Sequence, residues 1–231
     1  MSVPPVTAHR LILAIDTSTR ASLVVLGGRH HDAVSRREVQ HRHGAHVLEQ
    51  IDEVLGAAGA ELADVGALAV GTGPGSFTGL RVGLATAKTV AYARGLTVVG
   101  VMSSDALRRA AVTAVGAPAD VAVVLPAGAH DHYLARAGAD PVIVPPGALA
   151  ETLGDHPALS IDTRAESLGP EAERYGAAAL SGLPTALLEL ARERFDEGAA
   201  DDVAQLVPAY VALPRGVTRA AEELGWSPDL R

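Results

Sequence analysis

The chain has 231 residues, of which 48% are hydrophobic, ample for a core, while aromatic residues make up only 3%. A net charge of −8 argues against an isolated tRNA or DNA binder, which needs a basic surface to displace counterions from phosphates. The absence of cysteine excludes disulfides, thiolate nucleophiles and cysteine metal sites. Met1–His9 lacks the basic start and long apolar run of a signal peptide. No apolar stretch reaches the roughly 20 residues that span a bilayer. The expectation is a cytoplasmic protein that meets no membrane.

Residues 1–9 carry two prolines and read as a leader. Leu11–Ile15 is an apolar run, hence a strand buried on both faces. Asp16-Thr17-Ser18-Thr19 is a polar turn, and Ala21–Leu26 a second strand that closes a hairpin with Gly27-Gly28. Ala33–Gln40 mixes charges with valine as an edge strand does. From Gly44 the pattern turns helical, with Val47, Leu48, Ile51, Val54 and Leu55 at three- and four-residue spacing, and Gly56 and Gly59 ending it. Ala67–Val70 is a strand. It leads into a glycine loop, Gly71 to Gly75, and a helix over Thr78–Arg94 that Ser76 or Thr78 caps and Gly95 ends.

Thr97–Val101 is a strand, followed by a helix over Asp105–Val115 capped by Ser103 or Ser104. Gly116-Ala117-Pro118 marks a boundary. After it come strands at Val121–Leu125 and His132–Ala137, an irregular segment at Asp140–Pro146, a short helix at Gly147–Leu153 and a short strand at Leu159–Ile161. Two helices follow, Pro170–Leu180 and Pro184–Asp196, the second with proline near its start. Residues from Asp201 onward read as a wrapping tail. The order is that of an α/β protein. Ile12–Leu26 and Val121–Ala137 repeat the same strand, turn, strand opening, with Ile15-Asp16 aligned on Val124-Leu125, which suggests a duplicated fold.

The glycine loop is not a phosphate-binding Walker loop, because no Gly-Lys-Ser/Thr ends it and Lys88 lies deep in the helix. Nor does it carry the third glycine of the dinucleotide fingerprint. It reads either as a tight strand-to-helix turn or as an anion cradle. Gly75, Gly79, Gly83, Ala87 and Ala91 recur every four residues, leaving one helix stripe nearly bare. A helical glycine costs about 1 kcal/mol relative to alanine, so something must approach closely. The helix Val47–Leu55 is the expected neighbour, with an intermolecular partner as the alternative.

Asp16, Thr17 and Ser18 at a strand end have the chemistry to hold phosphate-bound Mg²⁺ through water, or to bond their own backbone. His41, His43 and His46, with His30 and His31 before them, lack His-Glu-x-x-His and read as a solvated loop rather than a metal site. Ser76 does not sit in Gly-x-Ser-x-Gly, since position 78 is threonine. Arg81 is placed to meet an anion or carboxylate.

Leu13-Ala14-Ile15-Asp16-Thr17-Ser18, then Gly73-Pro74-Gly75-Ser76-Phe77-Thr78-Gly79-Leu80-Arg81-Val82-Gly83, then Val99-Gly100-Val101 before Ser103, resemble the TsaB (YeaZ) family. His46 followed by Leu48 is similar to the family's helix after the third strand. The match is good over residues 10–107 and weak beyond. The resemblance implies an actin/Hsp70-like (ASKHA) fold of two ribonuclease-H-like halves, residues 10–115 and a reduced 119–213, with a tail over 214–231. It also implies a part in making threonylcarbamoyladenosine in tRNA. The partners it implies are the transferase TsaD, of which TsaB is a non-catalytic paralogue, and the ATP-binding TsaE; tRNA would be met only indirectly, and homodimers are an alternative.

The shared surface it implies is built from the helices Gly44–Leu55 and Thr78–Arg94, here Val47, Leu48, Ile51, Leu55, Gly79, Leu80, Gly83, Leu84 and Ala87. On that reading Gly83→Arg or Leu84→Glu breaks the complex and spares the fold. Two departures weaken nucleotide chemistry: Leu125 replaces the acid that often opens the second half, and the Asp16 turn lacks the glycine of active ASKHA phosphate loops. The leading expectation is therefore a scaffold with no catalytic residues and no cofactor. An ASKHA nucleotide hydrolase or kinase holding Mg-ATP on Asp16 is the second reading, and a metallopeptidase the last.

Overall fold

The structure is a computed structural model and describes residues 11–28, 32–38, 43–162, 168–209 and 211. The leader 1–9, the tail 214–231, and His30, His31 and His41 lie outside the described residues. Three strands, β1 (Leu11–Asp16), β2 (Ala21–Gly27) and β3 (Asp32–Glu38), form an antiparallel meander; β4 (Val65–Gly73) and β5 (Thr97–Met102) continue parallel to β1 in the order β3-β2-β1-β4-β5. Helices α1 (His43–Ala58) and α2 (Phe77–Arg94) cover one face of this sheet, and α3 (Ser103–Val115) and α5 (Pro170–Asp196) the other. Coverage on both faces is why β1 and β4 are apolar throughout rather than alternating.

The second sheet repeats the first. Strands β6 (Ala122–Ala127), β7 (Asp131–Ala135), β8 (Val142–Val144) and β9 (Ala158–Ser160) lie in the order β8-β7-β6-β9. The directions match those of β3-β2-β1-β4: two antiparallel pairs, then a parallel one. A counterpart of β5 is absent among the described residues. The short helix α4 (Leu149–Leu153) packs on the outer face through Leu149 and Leu153, against Val124 and Leu134.

Successive side chains of β1 serve two different cores, as the two-residue period of a strand requires. Leu13 and Ile15 meet Val47, Ile51 and Leu84 from α1 and α2. Ile12 and Ala14 face inward, into a core shared with Leu107 of α3, Leu187 and Phe195 of α5, and Val123 and Leu125 of the second sheet. Each fully buried leucine here contributes about 1.5–3 kcal/mol. A buried glutamine fixes α1: Gln50 Nε2 donates to the Ser22 and Ser35 carbonyls at 3.1 and 3.0 Å, and Ser22 Oγ donates to Gln50 Oε1 at 2.6 Å.

Four expectations change. Strand β8 occupies part of the segment expected to be irregular; it is an edge strand, where flanking prolines are tolerated. Helix α1 runs past Gly56 to Ala58, and Gly59, at φ 62°, ends it. Ser103 and Ser104 do not cap α3, whose N-cap position is Met102. The two C-terminal helices are one. Pro184 lacks the N–H that would bond the Leu180 carbonyl one turn back. Arg36 Nη1, from β3, donates to that carbonyl at 3.1 Å, so the helix passes its proline without an orphaned acceptor.

Candidate functional site

The turn after β1 and the loop after β4 are folded onto each other. Asp16, Thr17 and Ser18 are buried, at 0%, 1% and 2% exposure. Asp16 Oδ1 accepts from the Ser18 N–H at 2.9 Å and from Ser18 Oγ at 2.7 Å; Oδ2 accepts from Ser103 Oγ at 2.6 Å. Ser103 in turn accepts from the Gly73 N–H at 3.1 Å. One hydroxyl at the start of α3 thereby joins β1 to the glycine loop. The neighbour of Asp16 on β4 is Gly71, where a Cβ would collide with the carboxylate.

The bare stripe of α2 has a definite partner, and it is this turn rather than α1. A Cβ on Gly75 would overlap the Ser18 carbonyl, one on Gly79 the Thr17 carbonyl, and one on Gly83 the Thr17 hydroxyl. The close approach is sealed by hydrogen bonds: Ser76 N–H to the Ser18 carbonyl at 2.7 Å and Thr17 Oγ1 to the Gly79 carbonyl at 2.7 Å. Ser76 caps the helix as expected, its Oγ accepting from the Gly79 N–H at 3.2 Å. Lower on the stripe, Ala87 and Ala91 pack into the apolar core under α2. At the margin of the turn, Arg20 pairs with Asp162 of the loop after β9 at 3.8 Å.

This arrangement does not fit Mg-ATP. Asp16 is enclosed with both oxygens engaged, and the Ser76 N–H that would receive an anion is bonded to Ser18. The glycine loop occupies the space over the turn. At the matching point of the second sheet stands Leu125, at 1% exposure. Among the described residues no group of three or more His, Asp or Glu side chains could hold a metal ion. His43 lies in α1, and His46 meets Glu49 at 3.5 Å. Arg81 is exposed and stacks over Phe77, 5.3 Å from the ring centroid.

Burial raises the pKa of Asp16 above its usual 3.8, against the lowering effect of the Ser103 and Ser18 hydrogen bonds. The folded state therefore holds this proton more tightly than the unfolded one. The contribution of Asp16 to stability is present below pH 3.8 and is lost as pH rises through the raised value. Thermal unfolding of wild type and Asp16→Asn from pH 4 upward checks this. The wild type is expected to lose ground to the variant as pH rises; a difference independent of pH would refute it.

Among the residues expected at an interface, the structure buries Val47, Ile51, Leu55, Gly79, Leu80, Gly83, Leu84 and Ala87 against the chain's own sheet and turn, and leaves Leu48 57% exposed. Gly83→Arg and Leu84→Glu are therefore core substitutions that damage the fold, contrary to expectation. Positions that sequence reasoning passed over include Ser103, read as a cap, and Tyr92 on the outer face of α2, which is 86% exposed.

Two linked sheets of matching topology, with the turn of the first closed by its glycine loop, define an actin-like (ASKHA) fold. YeaZ from Pseudomonas aeruginosa superposes with a TM-score of 0.69 at 25% identity, over 87% of this chain and 99% of that one. Residues 30–218 match the sequence model of the family described as TsaD, tRNA N6-adenosine threonylcarbamoyltransferase. The chain belongs to this family, on its TsaB (YeaZ) side. It is 41% identical over 100 residues to the tRNA threonylcarbamoyladenosine biosynthesis protein TsaB of Haemophilus influenzae, a match covering 43% of this chain and 42% of the relative. It is 37% identical over 118 residues to the TsaB of Escherichia coli, covering 47% and 49%. The chain thus spans less than half the length of these two relatives. No described helix is long and apolar enough to cross a membrane.

Proposed function

We propose that the chain is a cytoplasmic supporting subunit in the formation of threonylcarbamoyladenosine in tRNA, docking a TsaD-like transferase and carrying no catalytic residue of its own. The observation that carries the reading is the closed Asp16 turn, in a chain whose relatives are named for this biosynthesis. A TsaE-like ATPase joins the complex, and tRNA is met through the transferase, in keeping with the net charge of −8. The two halves are residues 10–115 and 119–213.

The docking face is the outer side of α1 and α2. Leu48, 57% exposed, and Tyr92, 86% exposed, project from it, and the exposed small residues Ala85 and Thr89 of α2 allow close approach. Exposed aromatic and aliphatic anchors on such a face commonly dominate binding energy. Leu48→Glu with Tyr92→Ala is expected to abolish co-purification with the transferase while changing stability by no more than about 0.5 kcal/mol, as for surface substitutions generally. A complex that survives both changes places the interface elsewhere. A second copy of the chain on the same face is the competing occupant, read from the mass of the complex. Submillimolar Mg-ATP binding that Asp16→Ala removes would restore the enzyme reading.

A further inference from the structure

After α5 the chain turns at Gly198 and runs along the outer side of β5. Among the described residues β5 is the last strand of its sheet, so no described strand pairs with its outward N–H and C=O groups. Asp201 supplies a substitute. Its N–H donates to the Val98 carbonyl at 2.9 Å, and its Oδ2 accepts from the Gly100 N–H at 2.6 Å. Arg194 of α5 locks it: Nη1 and Nη2 reach the two carboxylate oxygens at 3.0 Å each, and Nη1 also donates to the Gly100 carbonyl. Glycine at position 100 permits this packing: a Cβ would lie 2.7 Å from Thr72 Cγ2 and 2.9 Å from Leu206 Cδ1, so those side chains would have to shift.

The segment then makes one turn, with the Gln205 and Leu206 N–H groups on the Asp202 carbonyl at 3.0 and 2.9 Å. Lys88 of α2 donates to the Ala204 and Leu206 carbonyls at 3.2 Å each. The run ends at the glycine loop, where the Ala209 N–H donates to the Thr72 carbonyl at 2.8 Å. Val203 and Leu206 are only partly buried against the core and Val207 is 60% exposed, so Pro208 is the one buried apolar side chain of the segment. Polar anchors at separated points, with little apolar burial, are the marks of a segment that opens locally at a free energy below that of global unfolding.

We propose that Asp201–Ala209 is a clasp, locked by the Arg194–Asp201 ion pair, that opens as one unit and uncovers the β5 edge and the Thr72 carbonyl together. Each anchor holds a stretch too short to order itself, so release at one end leaves the backbone entropy of the whole segment unopposed. The clasp does not depend on the docking face described above.

Hydrogen exchange read by mass spectrometry on the full chain tests it, using Asp201→Ala at one end and Lys88→Met in the middle. Both are expected to speed exchange about tenfold or more in peptides carrying the Gly100, Leu206 and Ala209 amides, as loss of a charge-assisted anchor implies. In the wild type these peptides should already exchange faster than the peptide containing β1. A rise confined to the neighbourhood of each substitution overturns the clasp, as does no rise. Wild-type protection of the segment equal to that of β1 overturns it too, because the segment would then belong to the global unfolding unit.

Discussion

Gly79→Ala is expected to destabilise the protein by about 1–3 kcal/mol, the range for forcing an extra carbon into a packed site. Helix propensity alone predicts the opposite, since alanine is favoured over glycine inside a helix by about 0.5–1 kcal/mol. The collision wins because the atom it meets is the Thr17 backbone carbonyl, which has no rotamer to escape into. The same peptide is also bonded, Thr17 Oγ1 donating to the Gly79 carbonyl at 2.7 Å, so the helix cannot retreat without losing that contact. Gly56 in α1 is the control. A Cβ there meets nothing within 4 Å, and Gly56→Ala is expected to stabilise by up to about 1 kcal/mol. Thermal unfolding of the two variants should shift in opposite directions, by about 2–4 °C per kcal/mol for a chain of this size. Equal signs would mean that the stripe is not in contact with the turn.

Arg108→Ala is expected to cost about 3–5 kcal/mol. Arg108 is 7% exposed and lies on α3, between the sheets. Its Nε donates to the Val121 carbonyl at 3.0 Å and its Nη2 to the Ala135 carbonyl at 3.1 Å, so it ties the second sheet to a helix packed on the first. Removing the side chain leaves two buried acceptors, each costing about 1–3 kcal/mol unsatisfied, besides the lost packing of the aliphatic stem. The ion pair with Asp105 at 2.6 Å adds little, because the Asp105 side chain is 52% exposed and solvent screens it. Asp105→Ala should therefore be nearly silent. Urea unfolding that ranks Asp105→Ala as the more damaging change would reverse this assignment.

Both predictions rest on contacts between residues far apart in sequence, and this separates what was legible beforehand from what was not. The apolar runs of β1, β2, β4, β5 and β6 announce buried strands, because strands covered on both faces need no alternation. The recurrence of Gly75, Gly79 and Gly83 announces a close approach. It does not say to what: the period of a helix fixes which residues share a face, while the partner, Thr17, lies 62 residues from Gly79. The Asp16 turn was legible as a polar turn, and its competing readings were a metal-phosphate ligand and a self-bonded loop. Burial and the hydrogen bonds to Ser18 and Ser103 favour the self-bonded loop, and burial depends on Ser103, Gly71 and Ser76 arriving from three other segments. For the same reason, apolar positions on α1 and α2 looked equally suited to a core and to an interface. The rest was hidden by local rules that tertiary contacts override. Pro184 marks a break unless another group satisfies the Leu180 carbonyl, and Arg36 is 144 residues distant from it. Val142-Ile143-Val144, hemmed by Pro141 and Pro145, carries no sign of its pairing with Tyr133.

The unbroken helix from Pro170 to Asp196 also bears on how the chain is made. Ile12, Ala14, Leu23 and Val25, on strands synthesised well before that helix, find part of their cover in Leu187, Leu188, Ala191 and Phe195. As the polypeptide leaves the ribosome, the inner face of the first sheet stays uncovered by α5 until the residues of that helix have followed. The first sheet is then an apolar surface awaiting its lid, open to chaperones and to self-association until α5 has emerged. A chain truncated before Leu183 is expected to accumulate as an insoluble or chaperone-bound species, even though it contains every residue of the first sheet.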